Sequence, residues 1–216
     1  MPFKYVIEHM EDNLHEWCIL EYCHISTFIP TSNIYFTNIS KDTESTLLAI
    51  KTLQGANFFT NHIIDLNLKK DKICLLDPSA KDILKPEDGN YFEYFLFGGI
   101  LGDDPPRDRT CELRKHGFQT RSLGDLQMTT DTAINVTKRV IEDKVVIDQI
   151  PYIDFPEIKL SIKESVVMPF RYITVPHPNK STLQTTTDEL KLNLVPLLPE
   201  GMIELLKKDG DMAFEF

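Results

Sequence analysis

Short runs of β-branched and aromatic residues alternate along the chain with stretches whose apolar positions recur at helical spacing. That alternation predicts strands joined by crossover helices, and so a mostly parallel sheet in an α/β protein. Lys4 to Ile7 reads as a first strand, with Glu8 to Asp12 as the loop behind it. A helix fits Asn13 to Phe28, where Leu14, Trp17, Cys18, Glu21 and Ile25 fall at helical spacing. Asn33 to Thr37 predicts a second strand. Thr43 to Gln54 predicts a second helix, with Leu47, Ile50 and Leu53 on one side and Gly55 as its stop.

Three further apolar runs read as buried strands: Lys72 to Leu76, Tyr91 to Phe97, and Phe118 to Ser122. Each runs into an unusual loop. The loops are Asp77-Pro78-Ser79, then Gly98 to Pro106, then Leu123-Gly124-Asp125. Thr129 to Asp143 follows as a helix, with Thr129 or Thr130 placed to cap it. Beyond Pro151 the chain turns to short extended pieces, Tyr152 to Phe155 and Phe170 to Val175. Pro176 to Asp188 is rich in Pro, Ser, Thr and Asn and reads as an exposed insertion. A short amphipathic helix is expected from Pro199-Glu200-Gly201 to Lys208.

At 216 residues the chain suits a single domain, 1–216, with enough length for a full core. No apolar run approaches the roughly eighteen residues of a membrane helix, and MPFKYVIEHM does not resemble a signal peptide. A cytoplasmic protein without membrane contact is the expectation. Cys18, Cys23, Cys74 and Cys111 lack metal-site spacing, so no metal and no disulfide are expected.

Charge changes the picture more than composition does. Acids outnumber bases 33 to 23, giving a formal net charge of −10, and the basic residues are scattered. A protein that grips nucleic acid ordinarily clusters Lys and Arg to neutralise phosphates, so RNA binding is not expected. The field favours a cationic partner.

Ligands of an open parallel sheet bind outside the carboxyl ends of its strands, where all three special loops sit. Gly98, Gly99 and Gly102 remove side chains where the backbone meets a ligand or takes up a positive φ. Their G-G-x-x-G spacing is not the dinucleotide fingerprint, and no phosphate-cradling loop is present.

Several strings occur in one order: Ile7-Glu8-His9-Met10, Glu16-Trp17, Cys74 to Pro78, Phe97 to Gly102, and Pro105 to Thr110. Leu123-Gly124-Asp125, Gln127 to Ala133, Met168 to Tyr172 and Leu198 to Met202 complete the series. Together they resemble the SPOUT-class protein arginine methyltransferases of fungi, a family also labelled as RNA methyltransferases. The resemblance runs from residue 3 to about 209, and Phe97 to Thr110 is its most specific block. It implies a SPOUT fold with a deep carboxyl-terminal trefoil knot, an exception to the rule that chains do not thread their own loops. It also implies S-adenosyl-L-methionine as cofactor, a monomer, and methylation of a basic small-subunit ribosomal protein, with single methylation expected. SPOUT methylation of rRNA or tRNA is the competing reading.

Carried over position by position, the cofactor loops are Leu76-Asp77-Pro78, Phe97 to Asp103, and Leu123 to Thr130. They include Phe97, Gly98, Gly99, Leu101, Gly102, Asp103, Leu123, Gly124, Met128, Thr129 and Thr130. Methyl transfer from a sulfonium needs an aligned nucleophile and neither metal nor covalent intermediate. Carboxylates can hold a guanidinium bidentately and offset the charge of the methylated product. Glu8 and Asp103 are the expected catalytic acids, with His9, Glu16, Trp17 and Glu21 around the substrate. Arg107 and Arg109 either meet the cofactor's carboxylate or lock the loop through Asp103, Asp104 or Asp108. Many relatives carry His where this chain has Asp104, so no catalytic task is assigned there.

Overall fold

The computed structural model describes residues 2–102, 107–162, 164–177 and 194–213, with backbone alone for 209–213. Six strands form one sheet: β1 (Lys4–His9), β2 (Ile34–Thr37), β3 (Asn57–Phe58), β4 (Ile73–Leu76), β5 (Tyr94–Gly99) and β6 (Gln119–Arg121). Their order is β3-β2-β1-β5-β4-β6, and every pairing is parallel. The α/β expectation is met, with β3 as an edge strand too short to show in the sequence pattern. β1 and β5 share six paired positions, from Lys4 with Tyr94 to His9 with Gly99, and form the middle of the sheet.

Both faces of the sheet are covered, as a parallel sheet requires. Tyr5 and Ile7 look toward α1 (Glu16–Phe28) and α4 (Thr130–Ile141), and pack with Tyr22, Ile25, Ile134 and Val140. Val6, Leu75 and Leu96 look the other way, onto Ile63, Leu113 and Phe118. Successive strand side chains alternate faces. Because β1 continues through His9 rather than ending at Ile7, neighbouring residues Glu8 and His9 are turned to opposite sides.

Local chemistry sets the helix boundaries. In α2 (Lys41–Ala49) the Ser40 hydroxyl accepts the Thr43 N–H at 3.1 Å, a side-chain cap. The helix stops at Ala49, earlier than the apolar spacing suggested, and a tight turn over Lys51–Leu53 carries Leu53 back to the core. Gly55 follows at φ +92°, in the left-handed region where a side chain is strained. The expected strand at Tyr91 begins only at Tyr94, because the Asp88 carboxylate accepts the Lys85 N–H and holds a turn across residues 86–90.

The carboxyl-terminal part adds a smaller unit. Strands β7 (Tyr152–Asp154), β10 (Arg171–Pro176) and β11 (Leu194–Pro196) form an antiparallel sheet ordered β11-β10-β7. A hairpin pairs β8 (Glu157–Lys159) with β9 (Ser165–Val167). The last helix, α5 (Met202–Ala213), packs through Leu206 onto a cluster of Met168, Phe170, Tyr172 and Trp17. The unit is stitched to the loop after β6 by a bridge between Met128 and Arg171, with the Arg171 N–H donating to Gln127 O at 2.9 Å. Most of the expected insertion at 176–188 lies outside the described residues. No helix among the described residues is long and apolar enough to cross a membrane.

Candidate active site

The carboxyl ends of β4, β5 and β6 open on a cavity of about 380 Å³, within the range of small-molecule sites. Its wall is made of the three loops singled out in the sequence. Leu76, Asp77, Pro78 and Ser79 come from the first, Phe97, Gly98, Ile100 and Gly102 from the second, and Leu123 to Thr130 from the third. Arg107, Asp108, Thr110 and Phe170 close the outer side, and Glu21 and Ala133 the inner one. Gly99 and Leu101 are not part of the lining: Leu101 packs against the main core instead. Asp103 lies outside the described residues.

The glycines act through close approach. A Cβ on Gly102 would stand 2.3 Å from the Phe170 ring, so only glycine lets the carboxyl-terminal unit close on this loop. A Cβ on Gly99 would lie 2.6 Å from the Tyr22 hydroxyl and 3.2 Å from the Glu8 carbonyl. Gly124 alone among the loop glycines has positive φ, at +110°.

Partly buried ion pairs hold the loops. Asp77 accepts Arg114 Nε at 2.5 Å and Nη2 at 2.8 Å, and its Oδ1 also takes the Ser79 N–H at 2.9 Å. Arg114, from the short helix α3 (Cys111–Arg114), reaches Asp108 as well, at 3.0 Å. That contact holds the Asp108 carboxyl below the usual carboxylate range. Asp103 and Asp104, two of the acids expected for Arg109, lie outside the described residues, and among those described Arg109 is held by Glu11 and the Met10 carbonyl. It donates to Glu11 Oε1 at 2.5 Å and to Met10 O at 2.6 Å, while the same Glu11 oxygen accepts the Leu101 N–H at 2.7 Å. Arg109 therefore locks the second loop to the exit of β1, whereas Arg107 lines the cavity.

Among the expected substrate contacts, Glu21 reaches the cavity. It projects from α1 and is 4% exposed. Trp17 Nε1 donates to its Oε1 at 2.6 Å, and the Thr130 N–H at the start of α4 donates to its Oε2 at 3.2 Å. The sequence offered Thr129 or Thr130 as the cap of α4. Thr129 stands at that position without a capping side-chain bond, and a carboxylate from another helix takes the free N–H. Burial pushes Glu21 well above the usual carboxylate range, and the nearby Asp131 carboxylate pushes it further, against the Trp17 and Thr130 donors.

The other expected contacts lie elsewhere. Glu8 is buried and points to the opposite face of the sheet. It accepts bonds from His62 Nδ1 at 2.7 Å, from the Ile63 N–H at 2.9 Å and from the Thr37 hydroxyl. It anchors the chain after β3 and does not line the cavity. His9 is buried against the Tyr22 hydroxyl at 2.9 Å, and burial pushes its pKa below the ordinary histidine value. Glu16 is exposed and pairs with Lys208 of α5 at 2.9 Å. Trp17 serves as packing beneath the carboxyl-terminal unit and as a donor to Glu21. Glu11, Arg114 and Asp131 were missed by sequence reasoning because their partners are remote in sequence. Phe170 belongs to the Met168 to Tyr172 segment, to which the sequence assigned no role.

The parallel sheet, with a cavity of three loops at the carboxyl ends of β4, β5 and β6, fits a SPOUT-class α/β methyltransferase. Trm10 from Thermococcus kodakaraensis shares the fold at 15% identity, with a TM-score of 0.51 over 69% of this chain and 96% of that one. The model of the SFM1-like protein arginine N-methyltransferases matches residues 4–213. Protein arginine N-methyltransferase SFM1 of Saccharomyces cerevisiae is 41% identical over 227 residues, covering 98% of each chain. The crystal structure of the yeast arginine methyltransferase SFM1 with SAM aligns at a TM-score of 0.81 and 40% identity, covering 97% of this chain and 92% of that one. The chain belongs to the SFM1-like protein arginine N-methyltransferase family.

Proposed function

We propose that this chain uses S-adenosyl-L-methionine, held in the cavity, to add one methyl group to an arginine of a basic small-subunit ribosomal protein, acting as a cytoplasmic monomer. Family membership supports the reaction class, and the SAM complex of the yeast relative supports the cofactor. The observation that carries the site is Glu21, a buried carboxylate on the cavity wall.

The lining suits such a cofactor. Leu76, Phe97, Leu123 and Met128 offer apolar surface for an adenine, and Gly98 and Gly102 leave the backbone open beside it. Arg107 offers a cation for a carboxylate. When bound, the cofactor supplies a methyl group already activated on sulfur. The remaining work falls to the chain. Glu21, held in place by Trp17 and Thr130, orients the planar guanidinium and opposes its charge where water is excluded. The net charge of −10 draws in a basic protein and discourages RNA.

The test is transfer of labelled methyl from the cofactor to ribosomes that lack the modification. Label is expected in the protein fraction, resistant to nuclease, and in monomethylarginine after hydrolysis. Label in RNA would overturn the reading.

A further inference from the structure

Glu21, whose Oε2 takes the Thr130 N–H, is buried beside Asp131, the next residue in the first turn of α4. The two carboxylates are 4% and 1% exposed. Among the described residues their basic contact is His24, whose Nδ1 lies 2.6 Å from Asp131 Oδ2. Glu21 receives the neutral Trp17 and Thr130 donors, and Asp131 Oδ1 is buried with no hydrogen-bond partner. The other titratable groups facing Glu21 are Cys18 and Tyr22 on α1 and Tyr172 on β10, each pushed upward by burial with Glu21 adding to the push. Arg107, Asp108 and Asp125 line the same cavity.

Among the described residues no cation is hydrogen-bonded to Glu21, and Asp131 meets His24, so this pair of buried carboxylates is short of positive charge at Glu21. An isolated buried charge is costly, and a close pair of like charges resolves the cost by taking up a proton or a cation. Of the two acids, Glu21 alone lines the cavity, so the missing charge arrives there.

We propose that Glu21 holds a proton while the substrate pocket is empty, and that a guanidinium seated against it displaces that proton to solvent. One positive charge enters as one leaves, so the pocket keeps its balance. Capture of arginine is then linked to proton release and weakens as the pH falls. The raised affinity of Glu21 for its proton, caused by burial first and Asp131 second, supports the same scheme. This inference rests on the reading of the cavity as a methyl-transfer site.

The chain carries its own reporter. Trp17, the sole tryptophan, donates its indole N–H to Glu21, so its fluorescence follows the ionisation of that carboxyl. Titration of the intact protein is expected to give a transition above the ordinary carboxylate range, raised by burial first and by Asp131 second. Glu21→Gln should remove the transition. Asp131→Asn should move it to lower pH, by removing the adjacent like charge. Methylguanidinium at saturation, with S-adenosylhomocysteine present, should lower the midpoint by about one unit or more. Without a Glu21-dependent transition, or with a midpoint indifferent to methylguanidinium, the inference is overturned. A midpoint lowered by S-adenosylmethionine but not by methylguanidinium would also overturn it, because the sulfonium would then be the missing cation. Calorimetry with S-adenosylhomocysteine separates the two claims: no binding there removes the methyl-transfer reading itself, whatever Trp17 reports.

Discussion

Glu21 is where this molecule departs from what a soluble helix ordinarily places at a buried position. Its folded state holds a proton more tightly than the unfolded chain does. For a group shifted upward, the stabilising contribution is complete below the unfolded pKa and is lost as pH rises through the folded one. Glu21→Gln is therefore expected to match the parent in acid and to melt roughly 2–4 °C higher in mild alkali, equivalent to about 1 kcal/mol for a chain of this size. Scanning calorimetry across pH checks this. On the proposed reading, in which Glu21 faces the substrate guanidinium, the same variant should lose on the order of 100-fold in turnover while binding S-adenosylhomocysteine normally. Gly102 fails differently. With Phe170 2.3 Å from where its Cβ would stand, Gly102→Val should abolish cofactor binding in calorimetry.

At the scale of elements, the cavity is held together by contacts between pieces that the pattern of apolar positions treats as separate. α1 caps α4 through Glu21, α3 grips the loop after β4 through Arg114 and Asp77, and the carboxyl-terminal unit closes on the second loop through Phe170. Arg114→Met leaves Asp77, 1% exposed, without its cation. The partly exposed arginine moderates the cost, and a loss of about 2–3 kcal/mol in denaturant unfolding is expected. The elements themselves were mostly legible: seven strands, four helices and three special loops stand at or near where apolar period and glycine placement suggested. The two-residue β3 was not, nor were β8 and β9, since strands so short carry too few residues to display a period. The end of β1 mattered most. A strand two residues longer than its sequence suggested turned Glu8 and His9 to opposite faces, so the two cannot share a pocket.

For the whole molecule, the acidic surface is the feature with a direct kinetic consequence. With the basic substrate proposed above, a net charge of −10 would accelerate encounter, and salt would screen that attraction. The KM for a basic protein substrate is expected to rise several-fold between about 50 and 200 mM salt, while the KM for the cofactor stays nearly constant. Equal salt sensitivity of both constants in steady-state assays would contradict a long-range role for the surface.

Taken by itself, the sequence determined the α/β class, the parallel order implied by alternating elements, and the three loops that form the cavity. These follow from local rules, because apolar period and glycine placement are written in neighbouring residues. Only the tertiary structure decided which acid faces the cavity. Glu8, Glu11, Glu16 and Glu21 are all carboxylates near the start of the chain, yet one anchors a loop, one locks an arginine, one pairs on the surface and one lines the site. A carboxylate acquires its role from burial and from the charges brought against it, and those partners come from α4, α5 and loops far away in sequence.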